Sequence, residues 1–119
     1  MHNEIPLFQK IYDFYKLFYS YIDDFPKKSR PVLGQRIEQI ILDLLESISS
    51  ASYASQSKKI NLLKQASNKA DFLKILFRLA YELRIIDQKK YFLLEQKLLE
   101  IGRMIGGWLK SSKNTSRSS

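Results

Sequence analysis

Apolar positions recur at alternating steps of three and four residues along most of the chain, and no segment alternates with a period of two. That pattern predicts helices packed on helices and no strands. The longest regular stretch is Tyr91 to Leu109, where Tyr91, Leu94, Leu98, Ile101, Ile105 and Trp108 form one seam and Asp87 stands ready as the N-cap. Gly102, Gly106 and Gly107 fall inside its last two turns. A helix-interior glycine costs roughly 1 kcal/mol relative to alanine. The Gly102–Gly106 spacing therefore predicts the close approach of a neighbouring helix, with Trp108 filling the end of the core. Glu95, Lys97, Glu100 and Arg103 make the stretch amphipathic, which favours packing in a soluble bundle over a membrane dimer motif.

Three more helices precede it. The first is expected from Leu7 to Asp24, after Pro6, with the seam Leu7, Ile11, Phe14, Phe18, Tyr21 and Phe25. A second stripe runs beside that seam, through Phe8, Tyr12, Tyr15, Tyr19 and Ile22. Tyrosine combines a large apolar face with a polar tip, so Tyr12, Tyr15 and Tyr19 suit either the rim of the core or an interface with a subunit or partner. Two prolines and Ser29, read as a cap, break the pattern before the second helix, Arg30 to Tyr53, with Leu33, Ile37, Ile40, Leu44, Ile48 and Ala51 inward. A connection near Ser55 to Ser57 leads to the third helix, Lys58 to Arg84. Ile60, Leu63, Ala66, Ala70, Leu73, Phe77 and Ala80 form its inner face, with Lys64, Asn68, Asp71, Lys74, Arg78 and Glu82 outside.

Short connections make successive helices antiparallel neighbours, so the expected fold is all-α, an antiparallel up-down-up-down four-helix bundle. The 119 residues fit one domain, over 1–110, followed by a polar tail, 111–119, expected to be disordered. The absence of cysteine excludes disulfide and thiolate chemistry, and the single histidine, His2, lies in a terminus expected to fray. No nucleophile–base constellation, glycine-rich phosphate loop or paired Glu-x-x-His motif occurs, so no catalytic residue, metal ligand or cofactor is expected. No signal peptide or spanning segment is recognisable, and a soluble cytoplasmic protein is expected.

Charge changes the picture most. The net value is +8, and it is segregated: residues 25–36 carry +4 and 57–84 carry +5, whereas 37–56 carry −3. In the expected bundle the end of the first helix and the start of the second share a pole with the third-to-fourth connection. That would gather Lys27, Lys28, Arg30, Arg36, Arg84, Lys89 and Lys90, with Lys74 and Arg78 further down the third helix. Lys58, Lys59, Lys110 and Lys113 would gather at the opposite pole. The first group is a candidate phosphate-binding surface, with an ordinary solvated face as the alternative. Lys27, Lys28, Lys89 and Lys90 stand near helix N-termini, where a cation is unfavourable, so dipole complementation does not explain them.

The segment from Phe25 to Ile48, FPKKSRPVLGQRIEQIILDLLESI, and that from Leu94 to Lys110, LEQKLLEIGRMIGGWLK, resemble the accessory variability determinant proteins of diversity-generating retroelements. Those proteins form part of a group of four-helix bundles that includes the proteins of 23S ribosomal RNA intervening sequences. The Ser-Ile-Pro-Ala-Asn-Ile-Ala-Glu-Gly-like run of that second branch is absent from Ile37 to Ile48. The resemblance implies a non-enzymatic homopentamer that binds a reverse transcriptase and RNA or an RNA–DNA hybrid. It carries over to Lys27, Lys28 and Arg36. The alternative is a structural oligomer of the ribosomal-intervening kind.

Overall fold

The computed structural model describes residues 4–118. Helix α1 spans Glu4–Tyr21, α2 Gln35–Tyr53, α3 Gln56–Glu82 and α4 Gln88–Ser118. Each helix packs on the next and α4 returns to α1, which leaves α1 and α3 at diagonal corners of an all-α four-helix bundle measuring 51 × 22 × 20 Å. The α1–α2 and α3–α4 connections form its upper end. The α2–α3 turn and the termini of α1 and α4 form its lower end.

The four seams meet as the spacing predicts. Leu7, Ile11, Phe14 and Phe18 from α1, Ile37, Leu44 and Ile48 from α2, Leu63, Leu73 and Phe77 from α3, and Leu94, Leu98, Ile101 and Ile105 from α4 are all buried. Trp108 is 5% exposed and closes the lower end. In the upper half the diagonal helices meet through rings: Phe14 and Phe18 each lie 5.9 Å from Phe77, and Phe18 lies 5.7 Å from Phe25 at 85°. Edge-to-face contacts of this kind add to the area they bury.

The upper connections are more structured than their sequence suggests. After α1 a 3₁₀ turn, Ile22–Asp24, leads to Phe25, and a π-helical turn, Arg30–Gly34, leads into α2. Pro31 stands in the first turn, where its missing N–H is least costly. Ser29 makes no side-chain cap; its carbonyl accepts the Gly34 N–H at 3.0 Å instead. Gly34 is the glycine that close approach requires, because a Cβ there would sit 2.9 Å from Ile22 Cδ1. Arg30 fastens the connection by donating from Nε to the Phe25 carbonyl at 3.0 Å and from Nη2 to the Asp23 carbonyl.

Helix α3 ends in a Schellman arrangement: the Arg84 N–H reaches the Tyr81 carbonyl at 2.9 Å and the Ile85 N–H reaches Ala80 at 2.8 Å. Arg84 occupies the left-handed position of that motif, φ 62°, where glycine is usual. Asp87 caps α4 as expected, its Oδ1 accepting the Lys90 N–H at 2.8 Å. Across the corner the Tyr81 and Tyr91 rings stack at 4.7 Å.

Several expectations are corrected. Tyr21, Leu33 and Tyr91 are only half-buried against the core, and Ile60 is half-buried at the start of α3 and does not belong to it. The α2–α3 connection is Ala54–Ser55, shorter and earlier than expected, because α3 already starts at Gln56. Residues 111–118 continue α4 rather than forming a disordered tail. Ser112 is buried, and its carbonyl accepts the Gln56 side chain at 2.6 Å, which gives the extension a tertiary anchor that polarity alone did not reveal. His2 and Ser119 lie outside the described residues. No atom of a neighbouring helix comes within 4 Å of a Cβ built on Gly102, Gly106 or Gly107, so these glycines do not serve helix packing within the bundle.

Alanine at Leu44, Phe77 or Ile101 should each cost about 2–5 kcal/mol by chemical denaturation, since all three are buried. Arg84→Gly and Gly106→Ala should each stabilise the isolated chain by roughly 1 kcal/mol. A lower melting temperature for both would contradict the left-handed Arg84 and the open face at Gly106.

Candidate nucleic-acid interface

Short connections and the antiparallel packing of α1 on α4 bring Lys27, Lys28, Arg84, Lys89 and Lys90 to the upper end. An ion pair between Lys90 and Asp24 joins the two connections there, and the Lys90 Nζ also lies 5.3 Å from the Tyr21 ring. The bond to Asp24 holds the Lys90 ammonium above its ordinary pKa. Arg30 is occupied by the two carbonyls described above. Lys74 pairs with Asp71 at 3.4 Å and Arg78 with Glu82 at 2.9 Å, both along the surface of α3. Arg36 turns toward the α2–α3 groove, a depression of about 340 Å³ that it lines with Gln39, Asp43, Asn68, Lys69 and Phe72. The nine expected cations therefore do not form one patch. Among the described residues, Lys27, Lys28, Arg36, Arg84 and Lys89 have no side-chain hydrogen bond or ion pair.

Acidic residues dilute this end further. Residues 21–38 and 78–95 hold eight cations against six acids. The α3–α4 side of the lower half differs: residues 47–70 and 101–115 hold seven cations and no acid, the nearest acids in the chain at this end being Glu4 of α1 and Glu46 of α2. The signal was present in the sequence as two acid-free gaps, one between Glu46 and Asp71 and one after Glu100. Antiparallel packing of α3 on α4 brings the two gaps together.

The tyrosine stripe splits into two kinds of residue. Tyr12 and Tyr19 are exposed, Tyr19 at 61%, with Phe8 stacked 6.2 Å from Tyr12 and the Lys16 Nζ 5.5 Å from its ring. Tyr15 is half-buried and donates its hydroxyl to Glu38 Oε2 at 3.0 Å, tying α1 to α2. A second exposed apolar stripe was missed. Phe72, Ile75, Leu79 and Leu83 stand outward on α3, Ile75 at 61%, on the side away from the core. Their spacing of three, four and four is as regular as a seam. Lys74, Arg78 and Glu82 interleave with it, which masks the stripe in the sequence.

Among the described residues, no helix is long and apolar enough to cross a membrane. The arrangement is that of an all-α bundle whose distinctive chemistry is on its outside: unpaired cations at both ends and apolar stripes on two diagonal helices. A family model described as bAvd-like matches residues 6–112. The chain belongs to the bAvd-like family. No curated protein and no solved structure matches the chain.

Burial and the bond to Glu38 push the Tyr15 phenol above its ordinary 10.0, and burial with the bond to Glu95 does the same for Tyr91. A raised folded pKa means that the fold favours the protonated phenol. The contribution is intact below the ordinary value and is lost as pH climbs through the raised one. Melting temperature measured from about pH 9 to 11 should fall for the native chain, and the fall should be smaller for Tyr15→Phe with Tyr91→Phe. Identical slopes would remove both phenols from the alkaline limb.

Proposed function

We propose that this chain is a non-enzymatic accessory protein of a diversity-generating retroelement. In that role it binds nucleic acid and the partner reverse transcriptase in the cytoplasm and supports mutagenic copying of a template RNA. The observation that carries the reading is the bAvd-like match over residues 6–112. The surface supports it, because exposed cations without acidic partners suit a phosphate backbone. Lys27, Lys28 and Arg36, the positions the resemblance singles out, are all exposed. Phosphate contacts position a strand without reading its bases, so binding should depend strongly on salt and weakly on sequence.

The same reading includes a homo-oligomer, a pentamer by resemblance. Two outward apolar faces support assembly: Phe8, Tyr12 and Tyr19 on α1, and Phe72, Ile75, Leu79 and Leu83 on α3. These helices are diagonal, so one copy offers two different faces in different directions, which suits a head-to-tail ring. Assembly would also place several basic surfaces around one bound polymerase.

Reversing Lys27, Lys28 and Arg36 to glutamate should weaken RNA binding across sequences and reduce capture of the neighbouring reverse transcriptase, with helix content kept. Loss of both partners by the native protein would leave a structural oligomer as the remaining function. Light scattering should return an oligomer at micromolar concentration. Ile75→Glu with Leu79→Glu, or Tyr12→Glu with Tyr19→Glu, should return smaller species. A native monomer would contradict the assembly.

A further inference from the structure

The lower half of the α3–α4 face differs from the rest of the surface in kind. Gln56, in the first turn of α3, holds the Ser112 carbonyl of α4 at 2.6 Å, and the Lys59 Nζ lies 6.0 Å from the Trp108 ring. These contacts bring the acid-free start of α3 against the acid-free end of α4. Lys58, Lys64, Arg103 and Lys110 are exposed and Lys113 is half-buried; among the described residues none of the five makes a side-chain hydrogen bond or ion pair. Lys110 and Lys113 flank a shallow depression of about 340 Å³ whose floor includes Gly106 and Leu109. A Cβ at Gly106 would meet nothing, so a ligand can come close to the α4 backbone one turn before Lys110. At the end of α2, five residues before Lys58, Tyr53 is 91% exposed, the most exposed large apolar or aromatic side chain among the described residues.

Unopposed cations are drawn to polyanions, and the two common cellular ones are nucleic acid and an anionic membrane. A membrane-surface site needs large apolar side chains beside its cations to enter the acyl boundary. The outward apolar stripe of α3 begins at Phe72, which shares the α2–α3 groove with Lys69 and lies eight residues beyond Lys64, away from Lys110 and Lys113 at the end of α4. What accompanies these lysines is glycine, serine and one bare phenol ring, the composition of a strand-binding surface, where cations follow the backbone and an aromatic face takes a base.

The geometry points to a single-strand-binding surface at the lower end of α3 and α4, in which Lys58, Lys64, Lys110 and Lys113 hold phosphates and Tyr53 stacks on a base. This rests on the nucleic-acid reading above and relocates its principal site. The upper end keeps five cations without partners but sets them among six acids, whereas the lower segments contain none. Carboxylates on the same segments therefore repel a strand less here than at the upper end.

The test is a fluorescence-anisotropy titration of the full chain with a labelled single-stranded oligouridylate and with a duplex of the same length, over a series of salt concentrations. Lys58→Glu, Lys110→Glu and Lys113→Glu together should lower single-strand affinity at least about tenfold and reduce the salt slope by about 2, the value for three lost phosphate contacts at roughly 0.7 each. Tyr53→Ala should lower single-strand affinity by about fivefold or more and affect the duplex less. If the triple variant loses its helix content, Lys110→Gln with Lys113→Gln carries the same comparison with a slope change of about 1.4. Unchanged affinity and slope in these variants, with loss in the Lys27, Lys28 and Arg36 variant, would overturn the inference and leave the nucleic-acid reading standing. A native chain that binds neither oligonucleotide would overturn both. Binding to phosphatidylserine vesicles through the same lysines, without oligonucleotide binding, would assign the surface to lipid and overturn the inference as well. An unaffected Tyr53→Ala would remove the stacking role and with it the preference for single strands.

Discussion

The antiparallel burial of α3 against α4 is the constraint on which the rest of the molecule depends. Neither seam can be covered alone, and the Arg84–Asp87 connection leaves the chain no choice but to reverse direction. Once it does, the register of the two helices decides which charges share an end. The mixed charges of residues 78–95 stay at the top, and the acid-free segments of both helices meet at the bottom. Packing of apolar residues thus determines the electrostatics of a surface that contributes almost nothing to the core.

The upper end shows how much of its charge is structural. Arg30 closes a turn, Lys90 joins the two connections through Asp24, and Arg78 and Lys74 sit in ion pairs along α3. Exposed pairs of this kind contribute little stability, but they do neutralise cations that would otherwise attract phosphate. Arg84 is different. It holds a backbone conformation that glycine would adopt more cheaply and has no side-chain partner among the described residues. The structure offers no packing reason for an arginine there.

Much of the fold was legible from periodicity alone, because all four seams follow the helical repeat and Trp108 and Asp87 do what their positions imply. The failures have specific causes. A glycine pair at helical spacing looks the same whether a neighbour fills the gap or nothing does, and only the packed structure distinguishes the two for Gly102 and Gly106. The polar end of α4 reads as disordered until the buried Ser112 and its bond to Gln56 are visible. The Phe72, Ile75, Leu79 and Leu83 stripe was hidden by assigning α3 a single inner face. For the cations, counting positive residues favoured the upper end, whereas counting the acids among them favours the lower one.

The central claim is that the acid-free lower end of α3 and α4 is where a nucleic-acid strand lies. Lysine reactivity toward an acylating reagent, read residue by residue by mass spectrometry with and without a bound single strand, tests this most directly. The account predicts protection of Lys58, Lys64, Lys110 and Lys113, with Lys90, already paired with Asp24, changing little. Protection confined to Lys27, Lys28 and Lys89, or no protection at any lysine while the strand is bound, would contradict it.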